Sequence, residues 1–428
     1  MSFAAPVSSQ RGTYRHWQVR IFYSTWLAYA GYYFCRMNFY AVKKALEDNL
    51  GFDTTDLGNL GTAYLLGYML GQFSSAYFGR KLGPKLLLLG GTGVSIVCNV
   101  LFGFSDYFWT ILVFMTLNGL AQGTGWPGCI GSLGYWFKRK HRGRVLGVWS
   151  TCYQVGPLLA SNFAGLMLGM AGFRWAFFGA SIVLLVVWGL VLFFHPDTPQ
   201  NVGLEPVSDE DEPQQKPVSP GQKEGLGWNR QVVISILLMG AVYFCIKFAR
   251  YLLFSWTAYF LGHNFGLEGD QAAYLSTIFY AAGFGGVLFA GFISDTVFKG
   301  RRALISLLML IGRTLAFLMM ATYGAASLIF FTVSMGLAGF MLYGPDSLLS
   351  GVGAIDVGSQ RGALTAAGII NGMGSAGPIV QEQLVARMYQ SSGHDIGPIL
   401  VLLLAVAGAG TLIMGILWLR ARKGKSNL

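Results

Sequence analysis

Tyr32-Tyr33-Phe34-Cys35-Arg36-Met37-Asn38-Phe39 lies inside the apolar run Ile21–Val42. The arginine in its middle decides the fold. A guanidinium within a membrane span is unfavourable by at least ~3 kcal/mol, and such residues face an internal pathway rather than lipid. A second arginine, Arg250, lies inside the apolar run Val232–Leu261. The two are 250 − 36 = 214 residues apart, half of the 428-residue chain. Cations at matching places in two halves imply a duplicated architecture with one central site for an anion.

Composition agrees with a membrane-embedded chain. It is 54% hydrophobic and 11% charged, whereas soluble domains carry roughly 25% charged residues. The apolar runs reach the ~20 residues needed to cross a hydrocarbon core of about 30 Å. The 59 glycines suit helices that pack closely through small residues. A net charge of +11 would suggest nucleic acid in a soluble protein. Here basic loops under the positive-inside rule account for it, and no nucleic-acid partner is expected. Cys35, Cys98, Cys129, Cys152 and Cys245 all fall in apolar segments without metal-site spacing, so no disulfide framework is expected. Residues 1–18 are polar and basic without a cleavable signal pattern, and the first span reads as a retained helix.

Twelve spans are predicted, at about 20–43, 56–78, 84–105, 108–137, 144–171, 174–194, 231–261, 269–293, 302–322, 326–350, 360–388 and 396–419. The organisation is a tail (1–19), a six-helix bundle (20–194), a linker (195–230), a second six-helix bundle (231–419) and a tail (420–428). The linker carries Asp209-Glu210-Asp211-Glu212 and several prolines and reads as a flexible tether. Of the 30 Lys and Arg residues, 22 fall on the side of the termini and linker. Four (Lys43, Lys44, Arg174, Arg387) fall on the other, and Arg36, Lys247, Arg250 and Arg313 are intramembrane. That asymmetry places termini and linker in the cytoplasm. The fold class is thus an all-α membrane protein of two six-helix halves.

The halves repeat one another in detail. After the second span of each comes a short basic turn: Phe78-Gly79-Arg80-Lys81-Leu82-Gly83-Pro84-Lys85, and Ser294-Asp295-Thr296-Val297-Phe298-Lys299-Gly300-Arg301-Arg302. This resembles the signature loop of the major facilitator superfamily, with Asp295 as its acidic residue and Gly79 marking a degenerate first copy. The resemblance implies two halves related by pseudo-symmetry with substrate near the midplane. In the first span Tyr29, Tyr33, Arg36 and Tyr40 share one helix face, and in the seventh Tyr243, Lys247, Arg250 and Phe254 repeat the spacing. The arginine is third in each stripe.

Four intramembrane cations face two candidate acids, Asp346 and Glu382, which leaves a positive excess that an exchangeable, water-borne anion could neutralise. Arginine donates paired hydrogen bonds to phosphate or carboxylate and stays protonated. Two such forks favour tetrahedral phosphate or a phosphomonoester, with a dicarboxylate still open. Lys247, one turn before Arg250, either adds a third cation to the site or pairs with Asp346. Arg313 reads as a structural contact to carbonyls or headgroups.

The octapeptide of the first span resembles the motif of the organophosphate:phosphate antiporter family. Further similar stretches are Asn118-Gly119-Leu120-Ala121-Gln122-Gly123-Thr124-Gly125-Trp126-Pro127, Arg142-Gly143, Gly147-Val148-Trp149, Asp197-Thr198-Pro199-Gln200, Gly203-Leu204, Arg250-Tyr251 with Trp256, Tyr343-Gly344-Pro345 and Gly362-Ala363-Leu364-Thr365-Ala366-Ala367-Gly368. The resemblance implies that Arg36 and Arg250 bind phosphate and that Tyr29, Tyr33, Gln122 and Trp126 lie near it. Departures from the glycerol-3-phosphate branch fall at Tyr153 beside Gln154, at Lys247, at Tyr68 or Gln72, and at Ser375 with Asn371 a turn earlier. They imply a retained phosphate grip and a different pocket for the organic half.

The expected function is exchange of a phosphorylated metabolite for inorganic phosphate by alternating access. The chain is expected to work as a monomer in a bacterial inner membrane, without cofactor, metal or enzymatic chemistry. A membrane sensor of external sugar phosphate, or a carrier of non-phosphorylated organic anions, are the alternatives.

Overall fold

A computed structural model describes residues 7–138, 145–207, 228–297, 302–349 and 354–423. The acidic part of the linker, the Arg142-Gly143 pair and Lys299–Arg301 lie outside the described residues. So do the side chains of 7–12, 76–81, 294–295, 302, 354–365 and 367, which include the expected signature positions Gly79 and Asp295.

All regular structure among the described residues is helical. Among the described residues, seven helices are long and apolar enough to cross a membrane: Pro84–Phe104, Phe173–Phe194, Arg230–Phe265, Gly269–Ile293, Ala303–Gly324, Leu328–Leu348 and Gly397–Arg422. The other predicted spans are helical as well. They fall in Val7–Leu50, Thr54–Leu82, the pair Phe108–Gln122 and Gly125–Trp136, the pair 145–149 and Cys152–Ala171, and Ala354–Ser391. Four of these five bear Arg36, Gln122, Gln154 and Asn371. A helix that presents polar groups to an internal site gives up hydropathy along that face.

Three spans expected to be continuous are interrupted. The fourth breaks at Gly123-Thr124, where Gly123 N donates to Gly119 O at 3.0 Å and Thr124 N to Ala121 O at 3.2 Å. The fifth turns at Ser150-Thr151, where Thr151 N donates to Val148 O at 3.2 Å, before Cys152–Ala171. The eighth breaks at Thr277, between Gly269–Ser276 and Ile278–Thr296. At each point an i→i+3 bond, Thr124 N to Ala121 O, Thr151 N to Val148 O and Thr277 N to Tyr274 O, tightens the turn.

The chain packs as two units: Met1–Phe39 with Ala63–Val218, and Tyr40–Thr62 with Ser219–Leu428. Inside the first unit, the second and fourth spans meet through glycines. A Cβ on Gly67 would sit 2.2 Å from Thr116 O, one on Gly71 2.1 Å from Leu120 O, and one on Gly119 2.1 Å from Tyr64 O. Gly67/Gly71 and Gly119/Gly123 each have the spacing that lets helix backbones touch. The second unit repeats the device between its eighth and tenth spans. There a Cβ on Gly286 would lie 1.9 Å from Phe340 O, and one on Gly339 2.4 Å from Phe279 O. The pseudo-repeat therefore extends from the charged stripes to the helix contacts that carry the halves.

Polar ties fasten the ends. Asp197 Oδ1 accepts from Lys85 N at 2.7 Å, closing the amino end of Pro84–Phe104, while Trp136 Nε1 donates to Asp197 O at 3.3 Å. Buried His195 bonds Ser24 and Ser132, both at 2.8 Å. The five cysteines are free and buried.

Because backbone carbonyls rather than side chains oppose these glycines, no rotamer change relieves a larger residue. Gly119→Leu and Gly286→Leu are each expected to destabilise the protein by ~3 kcal/mol. Gly134→Leu, whose Cβ meets nothing within 4 Å, is expected to be neutral. Chemical unfolding in detergent followed by tryptophan fluorescence distinguishes the three.

Candidate functional site

Within the first unit, the site begins with a broken turn. Cys35, inside Val7–Leu50, departs from helical geometry (φ −85°, ψ 16°). A kink of this kind removes a carbonyl from the helical ladder and leaves it in need of donors. Three side-chain amides supply them to Cys35 O: Asn118 Nδ2 at 2.9 Å, Gln122 Nε2 at 3.0 Å and Asn99 Nδ2 at 3.4 Å. Ser95 Oγ donates to Asn118 Oδ1 at 2.6 Å, and Asn38 Nδ2 donates to Asn99 Oδ1 at 2.8 Å, so the amides are themselves oriented.

This network aims the next residue. Gln122, its Nε2 engaged on Cys35 O, turns Oε1 to accept from Arg36 Nε at 3.0 Å and from the Tyr64 hydroxyl at 2.8 Å. The guanidinium, in a residue only 6% exposed, rests against three tyrosines. Its carbon lies 4.9 Å from the Tyr33 ring, 4.9 Å from Tyr68 and 5.6 Å from Tyr64. Aromatic faces stabilise a cation without consuming all its N–H donors. Of the two candidates in the second span, Tyr68 is the one against Arg36.

Tyr33 leads into a second cluster. Tyr29 meets Tyr33 at 5.8 Å between centroids, Tyr153 at 5.2 Å, Trp149 at 5.4 Å and Trp126 at 6.3 Å. Trp126 and Tyr153 lie 5.8 Å apart. Tyr29, Tyr33, Trp126 and Tyr153 are thus gathered together. Trp149, fully buried, joins them although the stripe pattern gave no sign of it. It lies on another helix, beyond the reach of spacing arguments. Gln154 is buried beside Tyr153 and hydrogen-bonds neither cluster.

The second unit holds the other cations. Arg250 Nη1 donates to Asp346 Oδ2 in an ion pair whose members are 15% and 8% exposed. The guanidinium lies 5.4 Å from the Tyr251 ring and 5.5 Å from Tyr343. The two readings of Lys247 now separate, since Asp346 belongs to Arg250. Lys247 Nζ instead donates to Asn371 Oδ1 at 2.7 Å and Ser375 Oγ at 3.2 Å, 4.9 Å from the Tyr243 ring. Gly374 makes this possible: a Cβ there would sit 2.3 Å from the Tyr243 ring. The helices Arg230–Phe265 and Ala354–Ser391 therefore approach closely enough for the lysine to span them.

Two cations take other places. Arg313 is fully buried and donates from Nη2 to Ala407 O at 3.0 Å, a carbonyl contact away from the residues above. Lys43, counted with the loop cations from its place at the end of the first apolar run, is fully buried instead. Its ammonium pairs with Glu382 at 3.2 Å, donates to Ser255 Oγ at 2.7 Å and lies 3.6 Å from the Trp256 ring. Trp256 Nε1 donates to the same Glu382 oxygen at 2.9 Å. A Cβ on Gly61 would come within 2.9 Å of that carboxylate, so a glycine is required opposite it. Sequence could not pair residues 339 positions apart; it offered only an acid in a span and a lysine at a span's end.

Removing one partner of a fully buried ion pair leaves the other charge uncompensated, a loss of about 3–5 kcal/mol. Glu382→Met and Lys43→Met are each expected to lose that much, and the double substitution of both to recover most of it. A double-mutant cycle on thermal unfolding measures the coupling; additivity would show that the pair is not structural.

The family model of the Major Facilitator Superfamily matches residues 25–381. A "probable hexose phosphate transport protein" of Chlamydia muridarum (strain MoPn / Nigg) is 27% identical over 373 residues, covering 83% of this chain and 81% of that protein. The "glycerol-3-phosphate transporter" of Bacillus subtilis (strain 168) is 27% identical over 382 residues, covering 86% and 85%. Among solved structures, a bacterial homologue of the human lysosomal transporter Spinster superposes with a TM-score of 0.70. It covers 96% of this chain and 98% of that one at 16% identity, a likeness of fold alone. With its helical units, intramembrane cations and a match over most of its length, the chain belongs to the major facilitator superfamily.

Proposed function

We propose that this protein exchanges a phosphorylated metabolite for inorganic phosphate by alternating access, with Arg36 and Arg250 as ligands of the phosphoryl head. The observation that carries the reading is the arginine–tyrosine setting repeated in each unit. Arg36 is aimed by Gln122 against Tyr33, Tyr64 and Tyr68; Arg250 stands between Tyr251 and Tyr343 beside Asp346. Relatives named for hexose phosphate and glycerol-3-phosphate transport support phosphorylated cargo. Lys247 with Asn371 and Ser375, and the aromatic group of Tyr29, Trp126 and Tyr153, are the candidates to meet the organic part. Gln154 has no contact that recommends it. The chain is proposed to act as a monomer in a bacterial inner membrane, with termini and linker in the cytoplasm.

Asp346 gives the cycle a physical basis. Its carboxylate compensates Arg250 when no substrate is bound, and an arriving phosphoryl group competes for the same guanidinium donors. Charge-assisted bonds to phosphate contribute about 1.5–3 kcal/mol each, enough for a dianion to win that competition. A loaded carrier then reorients with its cations neutralised, which favours exchange over leak.

In proteoliposomes loaded with phosphate, Arg36→Lys and Arg250→Lys are each expected to slow phosphate exchange by about 10- to 100-fold, the loss of one or two charge-assisted bonds. Wild-type rates in both would remove the arginines from the site. Phosphate binding without flux in the unsubstituted protein would instead point to a sensor. Asp346→Asn is expected to lower the half-saturating phosphate concentration several-fold. It should also make thermal stability depend more steeply on phosphate, because the ligand replaces the lost counter-charge.

A further inference from the structure

A three-residue cluster in the second unit lies outside everything described above. Glu47 near the end of Val7–Leu50, His263 in the last turn of Arg230–Phe265, and His394 in the turn after Ser391 bring one ligand atom each within 4.8 Å of one another. Two imidazoles and a carboxylate form a donor set typical of zinc.

Hydrogen bonding presents these groups as ligands. The Tyr389 hydroxyl has one proton, donated to Asn264 Oδ1 at 2.7 Å. Its oxygen therefore accepts from His263 Nδ1, 3.1 Å away. That fixes the Nδ1–H tautomer and leaves the lone pair of His263 on Nε2, as a metal ligand requires. Asn264 also holds the second ligand, donating from Nδ2 to His394 O at 3.0 Å. Among the described residues His394 is the one non-glycine residue with positive φ, at 68°. Such backbone is strained for a side-chain-bearing residue and persists where the surroundings hold it. It sets the His394 ring 4.8 Å from that of His263, with Thr54 Oγ1 3.4 Å from His394 Nε2. Lys44 Nζ lies 3.3 Å from Glu47 Oε2 but is shared with Asp48, so the carboxylate can turn to a stronger cation.

We propose that Glu47, His263 and His394 form a zinc site, with Tyr389 and Asn264 orienting the ligands. Ligand atoms of tetrahedral zinc lie about 3.3 Å apart at bond lengths near 2.0 Å, so small side-chain rotations close the cluster on the ion. Three protein ligands leave the fourth position to water. The ion ties the ends of three chain segments together, independently of the transport reading.

The test uses the full chain, purified without a polyhistidine tag and stripped with chelator. Calorimetric titration with zinc is expected to show one ion per chain. His263→Ala, His394→Ala and Glu47→Gln should each weaken binding at least about tenfold, and Tyr389→Phe by about tenfold through loss of the oriented tautomer. No zinc binding by the wild type, or unchanged affinity in His263→Ala and His394→Ala, overturns the proposal. Zinc-edge X-ray absorption of the wild type with one equivalent of zinc decides the matter even if a variant fails to fold. Two imidazole ligands support the site; one or none overturns it.

Discussion

The carbonyl of Cys35 is the point on which the first unit depends. A kink takes it out of the helical ladder, and three amides from two other spans replace the lost bond. An unpaired buried carbonyl is unfavourable by about 1–3 kcal/mol, so the amides cannot be dispensed with. In meeting that need they set the register of the first span against the third and fourth. The same Gln122 then accepts from Arg36. Backbone satisfaction and cation placement are one network, and a change to either disturbs both.

The second unit solves the equivalent problem with charge. Arg250 is held by Asp346, and Lys247 by two neutral groups on a neighbouring helix. A carboxylate held by one arginine is a competitor for any anion that seeks it, whereas Asn371 and Ser375 leave the charge of Lys247 uncancelled. Under the proposed function, the two cations thus differ in what an arriving phosphate would displace. Apart from both, Lys43 and Glu382 compensate one another completely out of water beside Trp256. Such a pair adds little net stability, since its dehydration offsets much of its attraction, yet loss of either partner strands a buried charge.

Much of this was legible beforehand. Long apolar runs broken by polar turns give spans, because lipid demands that each segment satisfy its own backbone. The stripe through Arg36 and its echo through Arg250 gave the repeated arginine–aromatic settings, because helical periodicity is a local property. Tyr29, Tyr33, Trp126 and Tyr153 were also named, and they meet. Gln154 was named for its place beside Tyr153; it is buried there without a hydrogen bond to either cluster. The breaks at Gly123, Ser150-Thr151 and Thr277 were missed, since glycine, serine and threonine occur throughout these spans and nothing local marks one of them as a break.

Sequence by itself determined the class of protein, the number and kind of its spans, and the two arginines, since hydropathy and helical spacing act along the chain. Tertiary structure alone decided the partners: Asp346 with Arg250 rather than Lys247, Lys43 with Glu382, and Glu47 with two histidines more than two hundred residues away. Charges pair by distance in space, and in a bundle that distance is set by which glycines let helices touch, a property of the packed whole.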